Sequence, residues 1–324
     1  MKKTLLILLA LMIIMIGLNA CNPIIIHDNV EGSKGLEYKY NPIINSYYVS
    51  GMGTCTDEDL VIPSTVKGLP VSRIDEEAFK NCRTIKSVIV PDSVEYVFTS
   101  AFENCTSLIS VVIGNSVKSL NLGTFVNCTS LTSVVLGDSL ESIGDGAFRG
   151  CIALESIEIP DSVTTIERTA FERCSSLKNI VISEYVTNIG DMVFNECSSL
   201  MNIEVDENNP NYKSIDGNLY TKDGKVFLGY AMGKKEESFT IPDSVAIIDR
   251  FLFDNCTSLK SIIIPDSVIA IEEYAFYGCT SLMHINFAGT VEQWNAIGLD
   301  SSYWNDQDVP ASEIVCSDGT VKLK

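Results

Sequence analysis

Ile159-Pro160-Asp161-Ser162-Val163, followed by Ala170-Phe171 and Cys174-Ser175-Ser176-Leu177, is one copy of a pattern that returns every 23 residues. Phe79, Phe102, Phe125, Phe148, Phe171 and Phe194 keep that spacing, and Phe253 and Phe276 resume it. Three residues after each stands a Cys, from Cys82 to Cys279, and three further on an aliphatic side chain such as Leu177. The alternation Ile157-x-Ile159, or Ile262-x-Ile264, has a period of two and reads as a strand with one buried face. Pro160-Asp161-Ser162 then ends the strand, because proline has no N–H to give to a sheet ladder. Val163-x-x-Ile166 starts the return path. So short a unit cannot bury its apolar face alone, so the copies must stack on one another. The pattern predicts a curved solenoid with one parallel strand per turn.

These columns resemble the leucine-rich repeat pattern, with Cys where that pattern places an inward Asn or Cys. More narrowly, the quoted blocks resemble the BspA-like (treponemal-type) leucine-rich repeat family of bacterial surface proteins. The likeness covers roughly residues 47–324. It implies a leucine-rich repeat solenoid of the α/β type, capped at both ends. Short parallel strands would line one side, with short turns, 3-10 or α segments on the convex side.

The N-terminus reads as an address. Lys2-Lys3 precedes an apolar run from Leu5 to Leu18, shorter than the ~20 residues a spanning helix needs, and describes a secretory signal over residues 1–20. Leu18-Asn19-Ala20-Cys21 resembles the bacterial lipobox, which implies lipidation of Cys21 and a membrane anchor. Residues 21–46 then read as a tether. Residues 47–71 form an N-terminal cap, 72–203 regular repeats, 240–285 further regular repeats and 286–324 a C-terminal cap. Between them, 204–239 form a long irregular repeat with a hairpin turning at Asp223-Gly224.

Composition narrows the function. Lys and Arg number 23 against 42 Asp and Glu, a formal charge of −19, which argues against nucleic acid as a partner. Two His leave little room for imidazole catalysis or a multi-His metal site. The Cys column lacks Cys-x-x-Cys spacing and reads as buried thiols, each a small hydrophobe with a weak donor for a backbone carbonyl. Gly137-Asp138-Ser139-Leu140 spells an esterase-like block, yet it falls in register with Pro160-Asp161-Ser162-Val163. Asp206-Glu207-Asn208-Asn209-Pro210-Asn211 fails the spacing of a calcium loop, which needs Gly at its sixth place and Glu at its twelfth. No cofactor and no metal are expected.

What remains is the outward strand face. Residues five and seven positions after each Cys should point onto the concave sheet. Ile89, Ser110, Val112, Ser133, Val135, Ser156, Glu158 and Val181 are therefore the candidate binding surface, a strip of short polar side chains with an apolar end. The resemblance implies a non-enzymatic, lipid-anchored cell-surface protein that binds an extracellular protein or glycan of a host or neighbouring cell, as in adhesion. A structural or assembly component of the cell envelope without an external ligand is the alternative, and a surface hydrolase a distant one. The oligomeric state is left open.

Overall fold

The computed structural model describes residues 31–299 and 309–323. The leader and Cys21 lie outside them. The chain divides into two compact units, Met1–Ile166 and Glu167–Lys324.

Unit 1 runs β1 (Glu37–Asn41), β2 (Ser46–Gly51), β3 (Asp59–Val61), β4 (Thr65–Val66), β5 (Leu69–Ile74), β6 (Ser87–Ile89), β7 (Tyr96–Val97), β8 (Ser110–Val112), β9 (Ser119–Leu120), β10 (Ser133–Val135), β11 (Ser142–Ile143) and β12 (Thr165–Ile166). The period-two segments pair as a parallel ladder, β3-β6-β8-β10, in which Asp59, Ser87, Ser110 and Ser133 stand side by side. A second parallel ladder, β5-β7-β9-β11-β12, follows the Val-x-x-Ile step and aligns Ile74, Val97, Leu120, Ile143 and Ile166. Most coils thus carry two short strands where one was expected. Two-residue strands are too short for alternation to reveal in a sequence.

The turn that carries Phe contains neither 3-10 nor α segments in unit 1. The N–H groups of Phe79, Asn81, Phe102 and Asn104 donate to Ala101, Glu103, Thr124 and Val126 of the following coil, at 2.8–2.9 Å. Donors committed to the next coil cannot serve a helix's internal bonds. Left-handed residues at Asn81, Asn104, Asn127 and Gly150 bend the chain here, and Asn and Gly tolerate that conformation best.

One boundary needs correcting. Residues 37–41, expected within the tether, form β1, which pairs antiparallel with β2 across a turn where Asn45 is left-handed. Tyr38 is partly buried between exposed Glu37 and Lys39, so this segment is already part of the fold.

Unit 2 runs β13 (Asn179–Ile182), β14 (Asn188–Ile189), β15 (Asn202–Val205), β16 (Tyr212–Ile215), β17 (Asn218–Thr221), β18 (Val226–Gly229), β19 (Ser238–Thr240), β20 (Ile247–Ile248), β21 (Ser261–Ile264), β22 (Ala270–Ile271), β23 (His284–Phe287), α1 (Val291–Ala296), β24 (Gly298–Leu299), β25 (Glu313–Cys316) and β26 (Gly319–Lys322). The long repeat is a meander of β16, β17 and β18, and the hairpin turning at Asp223-Gly224 is present. A second hairpin turns at Asp216-Gly217, both left-handed, as a type I′ turn requires. The meander does not interrupt the stacking, because β18 pairs in parallel with β20 of the next coil. At α1, Thr290 and Gln293 form a reciprocal capping box. β25 then joins β23 in parallel and turns back into β26.

The core is a column of rings. In unit 1, Phe79, Phe102, Phe125 and Phe148 stack at centroid distances of 5.0, 5.3 and 5.5 Å, each pair tilted by 12°. In unit 2, Phe171 faces Phe194 at 6.1 Å and Phe253 faces Phe276 at 5.2 Å. Tyr230 fills the corresponding space of the long repeat, 5.0 Å from Phe253.

Candidate binding surface

The thiols belong to the interior. Cys105, Cys128 and Cys151 donate through Sγ to the carbonyls of Phe79, Phe102 and Phe125, at 3.1–3.2 Å. Cys197 and Cys279 do the same to Phe171 and Phe253. Burial pushes the Cys105, Cys151, Cys197 and Cys279 thiols up to about 12, which keeps them protonated donors to these carbonyls. No disulfide forms among the described residues, and Cys55 and Cys316 are buried thiols as well. Cys128→Ser should keep the hydrogen bond but bury a more polar, shorter group, lowering stability by about 1–2 kcal/mol. Urea unfolding followed by circular dichroism measures this. A simultaneous loss of bound zinc would restore a ligand role to the column.

The other two chemical candidates serve the turns. In the Gly137-Asp138-Ser139-Leu140 block, Leu140 is buried and the Asp138 N–H donates to Asn115 Oδ1 at 3.1 Å. The Asn115 N–H in turn donates to Asp92 Oδ1 at 2.7 Å, so Asp and Asn side chains tie successive turns together. In the acidic string, Asp206 Oδ1 accepts from the Asn208 N–H, while Asn209 is buried and donates to the carbonyls of Ser183 and Val186. Among the described residues, no cluster of three or more His, Cys, Asp or Glu is placed to hold a metal ion.

The strand face differs from expectation at its N-terminal end. Ile89 and Ser110 are buried, and Val112, Ser133 and Val135 are half-buried. Ile89 lies between Val61 and Val112 on adjoining strands, and Ser110 between Ser87 and Ser133. At a spacing of ~4.8 Å, neighbours of that size cover one another. Ser156 and Glu158 are exposed but belong to no strand, so the unit 1 ladder ends at β10.

In unit 2 the alternation is strict. Asn179 and Val181 are exposed while Ile180 and Ile182 are buried, and β13 pairs in register with β15. Val181 is 57% exposed, and Ile263 and Val315 are 39% and 45% exposed. Ile263, Asn286 and Val315 are aligned neighbours on the ladder β21-β23-β25. Ile263 could have been found from the same column that holds Val181. Val315 lies after the period dissolves and carries no such signal.

Parallel ladders, a stacked aromatic column and a thiol turn, all at one spacing, define a leucine-rich repeat solenoid. Residues 52–151, 123–222 and 230–302 match the BspA type leucine-rich repeat region in six copies, and the chain belongs to that family. A leucine-rich cell surface protein from Faecalibacterium prausnitzii is similar, with 25% identity and a TM-score of 0.58 over 82% of this chain and 97% of that one. A leucine-rich repeat protein from Bacteroides ovatus shares 26% identity at a TM-score of 0.50, over 81% of this chain and 85% of that one. The pneumococcal vaccine antigen PcpA shares the fold, with 21% identity and a TM-score of 0.66 over 80% of this chain and 72% of that one. A comparison with curated proteins finds no match. Proteins of this family are generally surface proteins, and among the described residues no helix is long and apolar enough to cross a membrane.

Proposed function

We propose that this protein is a non-enzymatic surface protein that holds an extracellular protein or glycan on the outward face of its strand ladders. Cys21 carries the lipid that keeps it at the membrane. The observation supporting the binding reading is the exposure of Val181, Ile263 and Val315 on ladders whose alternate residues form the core. Apolar side chains held outward on a hydrogen-bonded backbone give contact area with little ordering cost on binding. The neighbouring Asn179, Ser261 and Asn286 supply short polar groups that fix orientation without long-chain entropy.

The test is a binding screen of the purified protein against extracellular-matrix proteins and glycans, followed by Val181→Glu combined with Ile263→Glu. Both positions are exposed, so the fold should survive, and affinity should fall at least about tenfold. Full affinity in the double variant would move the contact elsewhere. No binding partner at all would favour an envelope component without an external ligand.

A further inference from the structure

The hairpin of β1 and β2, which edges the second ladder through the parallel pairing of β2 with β5, carries a second exposed apolar feature at its tip. Its turn presents Ile43, 91% exposed, and Ile44, 57% exposed. The turn is braced, since the Ile43 N–H donates to Asn41 Oδ1 at 3.0 Å and the Tyr40 hydroxyl donates to Asn45 Oδ1 at 2.8 Å. Tyr40 stands exposed behind the tip with its ring 5.4 Å from that of Tyr47. The Lys67 ammonium, from the neighbouring β4–β5 turn, lies 5.9 Å from the Tyr47 ring, and Lys39 is exposed beside it. Isoleucines at a tip, tyrosines behind them and lysines at the rim are the side-chain order of an interfacial membrane contact.

Charge and chain length point to the same occupant. A chain with 42 acidic residues has none between Tyr38 and Cys55, so the tip of the hairpin carries no carboxylate, and Glu37 stands at the base of β1. From Cys21 to Glu31, where the described chain begins, is ten residues, which span at most about 36 Å. A lipid on Cys21 therefore holds this hairpin close to the bilayer. We propose that the β1–β2 tip docks into the membrane surface, with Ile43 and Ile44 entering the headgroup–acyl boundary. This proposal rests on Cys21 as the anchor, and it assigns the N-terminal end of unit 1 as the end that faces the lipid.

The test reconstitutes the full chain into phosphatidylglycerol–phosphatidylethanolamine vesicles whose acyl chains carry bromine near the headgroup. Ile43→Trp adds a reporter to the two native tryptophans. Its added emission should fall by about half relative to unbrominated vesicles, given a depth of ~5–10 Å. Ile152→Trp, at an exposed position of the same unit, should be unaffected. With Tyr40→Trp as the reporter, Ile43→Ser combined with Ile44→Ser should abolish the quenching. Unquenched emission from position 43, or a chain that does not stay with the vesicles, overturns the proposal. Emission shielded from iodide without bromine quenching also overturns it, because the cover is then a second copy. Mass spectrometry of the Cys21 peptide tests the anchor separately, so its failure and that of the docking hairpin are distinguishable.

Discussion

Phe125→Ala is expected to lower the unfolding free energy by about 3–5 kcal/mol, a large share of the stability of an ordinary domain. Phe125 is fully buried between Phe102 and Phe148, at 5.3 and 5.5 Å, so truncation removes a ring contact on both sides. The cavity cannot close easily. The Phe125 N–H donates to Ala147 at 2.8 Å and its carbonyl accepts from Cys151 Sγ at 3.2 Å, so the backbone on either side is fixed to the following coil. In a stacked array the loss is felt at both neighbouring interfaces, because each coil contacts only its neighbours. Phe125→Leu refills much of the space and should cost markedly less, about 1–2 kcal/mol. Urea unfolding of the three proteins, read by circular dichroism, provides the comparison. An alanine effect below about 1 kcal/mol would mean that the rings are spacers, not the main source of cohesion.

The repeat made much of this fold legible. A spacing of 23 located the Phe stack, the buried Cys turn and the main strand ladder, because each has a residue type that only one environment favours. The donor role of the thiols was readable too, since a buried S–H at a turn needs an acceptor. The second ladder was hidden, because Tyr96–Val97 and its equivalents are only two residues long, too short for a period-two alternation to show. The Asp92, Asn115 and Asp138 ties between turns were hidden for another reason: Asp and Asn also favour turns without any neighbour. The outward face was the hardest part. Column position told which side of the strand Ile89 and Val181 occupy, yet one is buried and the other is open. Exposure depends on what flanks a residue on adjoining strands, and a column read along one repeat does not contain that.

Asp254 should make unit 2 more stable as the pH falls from about 8 towards 5. It follows Phe253 in the stack, its side chain is buried, and its Oδ1 has no hydrogen-bond partner among the described residues. Desolvation is the main cause that raises its carboxyl to about 7, with Glu196 and Glu172 adding to the rise and Arg173 opposing it. Arg173 cannot give Asp254 its full charge, because its guanidinium pairs with Glu196 at 2.9 Å. In the unfolded chain the carboxyl returns to near 3.8. Between those values the folded state binds the extra proton, so stability falls as pH rises through this range and levels off above about 7. A tenfold change in acidity is worth about 1.4 kcal/mol, which sets a ceiling of about 4 kcal/mol, and local relaxation brings the expected penalty to about 2. Asp249, raised to about 6 mainly by burial, adds to the same trend in the wild type. The isosteric Asp254→Asn removes one contribution and leaves the other. It should be more stable than the wild type at pH 8 by about 2 kcal/mol, with the gap narrowing as the pH falls below about 7 and closing only towards 3.8. Urea midpoints of both proteins across that range decide the matter, and a difference that does not change with pH would mean that Asp254 is ionised and solvated in the folded protein.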